Sequence, residues 1–488
     1  MLFNSYLFLL IFLPLTLLGY YGLNRLRQYT LAKIFLILMS LWFYGHFNPV
    51  YLAILIGSVL FNFFLYKLLF ARPETWAKRL GLALGLALNL GALFVFKYFD
   101  FFLTNVNLLF KTALPLYHIL LPLGISFFTF QQLSFVIDAY RGDAPEYSFV
   151  DYALFVVFFP QLIAGPIVRH GDMVPQFQDI QNKAFDYENF ARGIFIFVLG
   201  LAKKVLLADT FGIAADAVWA RILEARTLDA IMGMFAFTMQ IYFDFSGYCD
   251  MAVGLGLMMN IRIARNFDSP YKSLNTAAFW RRWHMTLGSF FTDYLYIPLG
   301  GSRGGKWRMV RNVMIVFLIS GLWHGANYTF ILWGALHGVA VVVSRLVGTP
   351  KKRLWRWLSW LATFLFINVS WVLFRADTIQ DAGRFFMALG NWGGPTGSST
   401  YSMFAPFYTS TLAFIVRYLL HFWSPHMGYF SAALWLLAAF YFAVLSRNAG
   451  ERLARFRPTA WRAGICIVLF VWSVLALSNV SRFLYFNF

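Results

Sequence analysis

The feature that most constrains this chain is the gathering of its apolar residues into long uncharged blocks, such as YLFLLIFLPLTLLGYYGL near the N-terminus, instead of amphipathic stripes. A block of about 20 apolar residues matches the hydrocarbon thickness of a bilayer. Backbone inside that layer must satisfy its own hydrogen bonds, so it forms helices or a closed barrel. These blocks lack the short alternating strands of a barrel. With 60% of residues hydrophobic and 12% charged, the chain reads as an all-α polytopic membrane protein.

Spans are expected roughly over 4–23, 30–48, 50–70, 80–100, 115–140, 190–207, 230–258, 312–346 (broken), 354–373, 429–446 and 462–480, about eleven in all. Shorter apolar pieces lie near 150–168 and 277–299. Lys and Arg total 40 against 21 Asp and Glu, a formal net charge of +19. Those cations cluster in short loops at Arg72–Arg79, Arg303–Arg311, Arg345–Arg356 and Arg447–Arg462, as the positive-inside rule expects of cytoplasmic loops. The charge is therefore read as topology and not as a nucleic-acid footprint. The same rule sets both termini outside and makes 406–424, with Arg417 and His421, an interfacial helix. Arg25 and Arg27 follow the first apolar block and no cation precedes it, which describes an uncleaved first span and not a signal peptide. Cys249 and Cys466 stand in apolar surroundings as unpaired thiols.

The centre differs from this pattern. Between Asp151 and Asn327 the apolar pieces are short and interrupted by Pro, Gly and charge, as in FFPQLIAGPIVRH and FWRRWHMTLGSFFTDYLYIPLGGSRGGKW. Irregular backbone at membrane depth survives only where protein buries it or a cavity hydrates it. This region is therefore the expected functional core of one membrane domain, 1–488, and it should contain re-entrant segments.

Within it, Gly300, Gly305 and Lys306 fit part of a phosphate-binding loop. Trp307 stands where Ser or Thr must hold magnesium, and no buried strand precedes the loop. The loop is either a cytoplasmic positive-inside loop, the plainer reading, or a landing place for an anionic donor. No G-x-S-x-G elbow or H-E-x-x-H helix occurs, and no metal site is expected.

His324 and His337 each lie inside a G-x-x-x-G pair, so both read first as polar glue between packed helices. His324 also has Trp323 and Asn327 beside it at a break between apolar runs, and an ionisable group at membrane depth is a functional hypothesis. His284 in FWRRWH is a second candidate. The adjacent Arg281 and Arg282 would favour its neutral ring, suited to a base or a hydrogen-bond partner. Asp244, Ser246 and Asp250 in YFDFSGYCD are expected to form a supporting network, its carboxylates paired with nearby arginines. Lys203, Lys204 and Asp209 read as a snorkelling cluster at a membrane edge. The C-terminal RFLYFNF, residues 482–488, reads as an aromatic belt, or as an extracytoplasmic tail folding Tyr485 back into the core.

FFPQLIAGPIVR (158–169), YFDFSGYCDMAVGLG (242–256), FWRRWHMTLGSFFTDYLYIPLGGSR (279–303) and GLWHGANYTFILWGALHG (321–338) together resemble the signature blocks of the membrane-bound O-acyltransferase family. More narrowly they resemble its bacterial polysaccharide-modifying branch, which acetylates alginate and, in near relatives, peptidoglycan. The dense match covers about 150–340; regions before 150 and between 380 and 460 match only in hydropathy, and Cys249 stands where Ser is expected.

The resemblance implies tilted helices around a thin central funnel in a bacterial inner membrane. It assigns the essential histidine to His324, the second histidine to His284 and a proposed acyl-carrying tyrosine to Tyr485; beside these, Trp323, Asn327, Arg281 and Arg282 are expected at the substrate and Asp244, Ser246, Asp250 and Asp209 in support, with 150–340 as the catalytic core region. It also implies an acyl thioester donor such as acetyl-coenzyme A, no bound cofactor, and a separate extracytoplasmic SGNH-type acetyltransferase with polysaccharide machinery as partners. An alginate-like exopolysaccharide is the favoured acceptor and a cell-wall polymer the alternative. A transporter with histidine proton relays, or a non-catalytic scaffold, are the competing classes.

Overall fold

A computed structural model of the chain describes residues 1–70, 75–392, 427–479 and 483–484. Every regular element among these residues is a helix. The segment 406–424 and Tyr485 lie outside the described residues.

The axis of the fold is the 32-residue helix Thr227–Met258. At 1.5 Å per residue it extends about 48 Å, longer than a bilayer core is thick. It packs chiefly against the helices Tyr187–Ala202 and Asp209–Ala220, and also against Arg353–Arg375. Glycine makes the first approach close: a Cβ on Gly200 would lie 2.6 Å from the Gly247 carbonyl oxygen, and one on Gly247 would lie 2.8 Å from that of Gly200. With protein on most sides instead of lipid, this helix tolerates Asp229, Asp244 and Asp250.

That shielding explains why apolarity alone finds fewer spans than the expected eleven. Among the described residues, five helical stretches are long and apolar enough to cross a membrane: Phe8–Arg25, Pro49–Leu69, Thr75–Phe110, Tyr328–Val347 and Arg353–Arg375. Tyr29–Gly45, Leu434–Leu445 and Ala460–Leu475 are apolar but shorter. The span expected at 115–140 is smaller than anticipated. Residues 112–123, which include Pro115 and Pro122, carry no helix, and Ile125–Arg141 begins only after Gly124 at φ +71°.

The irregular centre is buried, as its sequence requires. After Phe149–Val157 the chain makes one turn at Phe159–Leu162 and then no regular element until His170. Every residue from Asp151 to Val168 is nonetheless buried. The expected break within 312–346 divides that stretch into helices Lys306–His324 and Tyr328–Val347. These form a tight hairpin in which the Cα of Gly321 and a Cβ built on Gly334 would be 3.2 Å apart.

Both ends of the described chain meet on one residue. Tyr248, in the central helix, stacks on Phe3 with ring centroids 4.8 Å apart and meets Phe483 edge-on at 4.7 Å.

Candidate active site

The break in SGLWHGAN comes from two residues with different tasks. Gly325 leaves the helix in extended conformation. Asn327 then caps the next helix, accepting the Thr329 N–H at 3.1 Å and donating to the Asp377 carbonyl at 2.6 Å. The Asn327 side chain is thus engaged in capping the hairpin. His324, the last residue of its helix, is 2% exposed. Its ring packs against Trp323 at 4.9 Å, Trp333 at 5.2 Å and Phe374 at 5.2 Å.

The end of a helix leaves carbonyls without intrahelical donors. Here two consecutive residues of another helix supply them: the Tyr98 hydroxyl donates to Leu322 O at 2.9 Å and the Lys97 ammonium to Trp323 O at 2.5 Å. Lys97 also reaches Ser126 Oγ at 3.3 Å and lies 5.7 Å from the centroid of the Trp323 ring. Sequence reasoning passed over Lys97, although a lysine inside the apolar stretch FVFKYFDFF is itself a signal.

His284 sits between Thr276–Trp280 and Met285–Phe291 at φ +48°. A left-handed non-glycine residue costs of order 1–3 kcal/mol and persists where its surroundings over-determine it. Asn266 does so here. Its main-chain oxygen accepts Met285 N–H at 2.9 Å, and its amide oxygen accepts Thr286 N–H at 3.1 Å and Thr286 Oγ1–H at 2.9 Å. The same amide oxygen lies 3.2 Å from His284 Nδ1. An oxygen can only accept, so Nδ1 carries the proton and the lone pair of the neutral ring is on Nε2.

The network continues outward: Thr286 Oγ1 accepts Ile167 N–H at 3.0 Å, and Asn266 Nδ2 donates to Cys249 Sγ at 3.4 Å. Three separate sequence blocks thereby join around one asparagine that had not been singled out.

Trp323 connects the two histidines. The His284 ring, 1% exposed, packs on Phe245 at 4.8 Å and on Trp323 at 6.1 Å, while His324 packs on the same indole. Trp323 is buried, and its Nε1–H has no acceptor among the described residues. Arg281 is exposed and Arg282 half-buried. They adjoin His284 in sequence, but aromatic rings enclose the imidazole itself. A cavity of about 380 Å³, lined by Ser134, Arg169, Arg265, Met285, Thr286 and Tyr294 among others, opens beside the His284 turn.

His337 is polar glue, as the G-x-x-x-G spacing suggested. Trp280 Nε1–H donates to its Nδ1 at 3.1 Å, so Nε2 carries the proton facing Ser370 Oγ at 2.9 Å.

The acidic network differs from expectation in its partners. Asp250 pairs with Lys203 at 2.5 Å, and Asp244 and Asp209 share Lys204 at 2.6 and 2.7 Å, so among the described residues the salt-bridge partners of Asp244 and Asp250 are lysines and not the arginines expected. Lys204 does not snorkel, since its side chain is 1% exposed. The π-helical turn Lys203–Ala208 shifts the register so that both consecutive lysines reach carboxylates of the central helix. Ser246 Oγ is buried with no partner among the described residues. Cys249 is buried and Cys466 half-buried, neither in a disulfide. No cluster of three or more His, Cys, Asp or Glu able to hold a metal occurs among the described residues.

Residues 116–376 match the membrane-bound O-acyltransferase family. The chain is 46% identical over 413 residues to a peptidoglycan O-acetyltransferase of Helicobacter pylori, covering 78% of each chain. It is 42% identical over 400 residues to a probable alginate O-acetylase of Pseudomonas aeruginosa, covering 80% of this chain and 75% of that one. A probable alginate O-acetylase of Pseudomonas putida is 38% identical over 507 aligned positions, covering both chains completely.

Proposed function

This chain belongs to the membrane-bound O-acyltransferase family and is an acyltransferase of the membrane, and from that premise we propose that it carries an acetyl group from a cytoplasmic thioester to an extracytoplasmic polysaccharide. The observation that carries the proposal is the pair of buried imidazoles, His284 and His324, packed on the single indole of Trp323.

In this reading His324 is the general base. It removes the proton of an attacking hydroxyl as that oxygen adds to the thioester carbonyl. The C–S bond then breaks, and the departing thiolate takes the proton back from the imidazole. A phenol has a pKa of about 10 and attacks poorly at neutral pH without such a base. Base catalysis of this kind supplies about 10²–10⁴ in rate. His284, held by Asn266, orients the thioester, and the Trp323 N–H polarises its carbonyl; a developing oxyanion favours a buried donor without a competing acceptor. The donor, acetyl-coenzyme A or another acyl thioester, approaches through the cavity beside Met285 and Thr286.

The attacking hydroxyl is that of Tyr485, which holds the acetyl as an aryl ester until an extracytoplasmic transferase of SGNH type moves it to a sugar. The inner membrane of a bacterium, with both termini outside, suits this route, and the meeting of Phe3 and Phe483 on Tyr248 supports termini on one side. Alginate-like polymer is the favoured acceptor, given a probable alginate O-acetylase that matches the chain over its full length. Peptidoglycan is the second reading, favoured by the 46% identity to a peptidoglycan O-acetyltransferase.

The test is purified protein in liposomes with labelled acetyl thioester on one side and the partner transferase with alginate or peptidoglycan fragments on the other. Acetyl ester on one polymer, with stoichiometric free thiol on the donor side, supports the reading and identifies the acceptor. Transport of intact donor or polymer without thiol release contradicts it.

A further inference from the structure

The buried ions of the central helix have no part in the mechanism above, and they are costly. Asp209, Lys204 and Asp244 place two formal negative charges and one positive charge where side-chain exposure is 8, 1 and 3%. Buried ions persist where additional hydrogen bonds meet their remaining lone pairs, and apolar replacements often serve stability as well or better. Asp244 meets Lys204 with one oxygen, and its second oxygen needs a donor of its own.

The donor comes from the far end of the chain. Asp244 gives Oδ1 to Lys204 at 2.6 Å and Oδ2 to the main-chain N–H of Leu484 at 2.8 Å. The Lys204 ammonium lies 4.7 Å from the centroid of the Phe483 ring, within cation–π range, and that ring also meets Tyr248 edge-on at 4.7 Å. Phe483 is 1% exposed. Asp244 lies near the middle of the 32-residue helix. Its neighbour Phe245 packs on His284 at 4.8 Å.

We propose that Asp209, Lys204 and Asp244 form a socket that grips the C-terminal Phe483–Leu484 segment at mid-depth in the core, one residue along the central helix from the wall of the reaction centre. The carboxylate reads a backbone N–H, which any residue but proline offers, and the ammonium reads an aromatic face. The socket therefore selects an aromatic residue at 483 and leaves the identity of the next residue free for other work. Its purpose, to present Tyr485 to the base, rests on the relay proposed above. The grip itself does not. These are positioning residues, since none of them needs to touch the thioester.

The test follows tail position independently of acetyl transfer. Leu484→Cys, in a Cys466→Ser background, retains the backbone N–H and is labelled with a water-soluble maleimide; the buried Cys249 serves as internal control. With the socket intact, labelling is slow. Phe483→Ala, which alters only the tail, raises the rate tenfold or more, and Phe483→Trp restores protection. The uncharged set Lys204→Met, Asp209→Asn and Asp244→Asn, made together so that the three do not strand one another, raises it likewise. Labelling as fast in the parent as in unfolded protein, or unchanged by Phe483→Ala, overturns the socket. A protected tail in a protein that never acetylates Tyr485 leaves the socket standing and removes the relay.

Discussion

The ammonium of Lys97 donates to the main-chain carbonyl of Trp323 at 2.5 Å, across 226 residues of sequence. The next residue after that carbonyl is His324, so the cation fixes the end of the helix that aims the imidazole. A hydrogen bond to a charged group is worth about 1.5–3 kcal/mol. Lys97→Met should therefore lower the thermal midpoint and reduce turnover at least ~10-fold, a factor that 1.4 kcal/mol already accounts for if the loss is felt at the base. Lys97→Arg, which keeps the charge, should recover part of both. Unchanged turnover in Lys97→Met would separate this contact from the chemistry.

Trp323→Phe keeps an aromatic ring between the imidazoles but removes the indole N–H. Loss of one oxyanion donor typically costs about 10²–10³ in turnover. The expected result is a fall in kcat of that order with KM and melting temperature nearly unchanged. A rise in KM alone would make Trp323 a binding wall and not a donor.

The two histidines of the hairpin should respond in opposite ways. His337 is held by Trp280 and Ser370, so His337→Leu strands a partly buried indole N–H at a cost of about 1–3 kcal/mol, while the Ser370 hydroxyl keeps its bond to the Ile367 carbonyl. It should melt early yet retain turnover at low temperature. His324→Gln should melt near the parent and lose turnover. The reverse pattern would exchange their roles.

Burial lowers the Lys183 ammonium to about 8, on the 3₁₀ turn Ile180–Lys183 outside the apolar spans. The unfolded chain binds this proton up to its ordinary value near 10.4. Below about pH 8 both states are protonated and the folded state bears the full desolvation penalty. As pH rises from about 8 towards 10.4 the folded group sheds its proton first, so the penalty fades and Lys183 destabilises less. Chemical denaturation across this window should show the parent gaining on Lys183→Met as pH rises. A constant difference between the two would contradict the shift.

Much of this arrangement was visible in short sequence windows. Block lengths indicated helices in a membrane, and SGLWHGAN contained its own break, because Gly325 and Asn327 act locally. The glycine spacing of the hairpin, and with it His337 as glue, was legible for the same reason. The long-range partners were not. Nothing near Trp323 points to Lys97, and Asn266 lies in an irregular stretch without periodicity. Lys204 looked like a membrane-edge residue because the π-helical turn that changes its register leaves no sequence pattern. Asp244 and Asp250 were expected to pair with nearby arginines, whereas the packing of the preceding helix onto the central one gave them Lys204 and Lys203.

The central claim is that His324 is the base that starts acetyl transfer, and a single-turnover reaction tests it most directly. Purified protein is mixed with a stoichiometric labelled acetyl thioester, and the rate of free-thiol release is followed together with acetylation of the C-terminal peptide by mass spectrometry. The account predicts that His324→Gln, folded with a parent-like melting temperature, slows both by about 10²–10⁴. Parent-like thiol release and peptide acetylation in His324→Gln would contradict it.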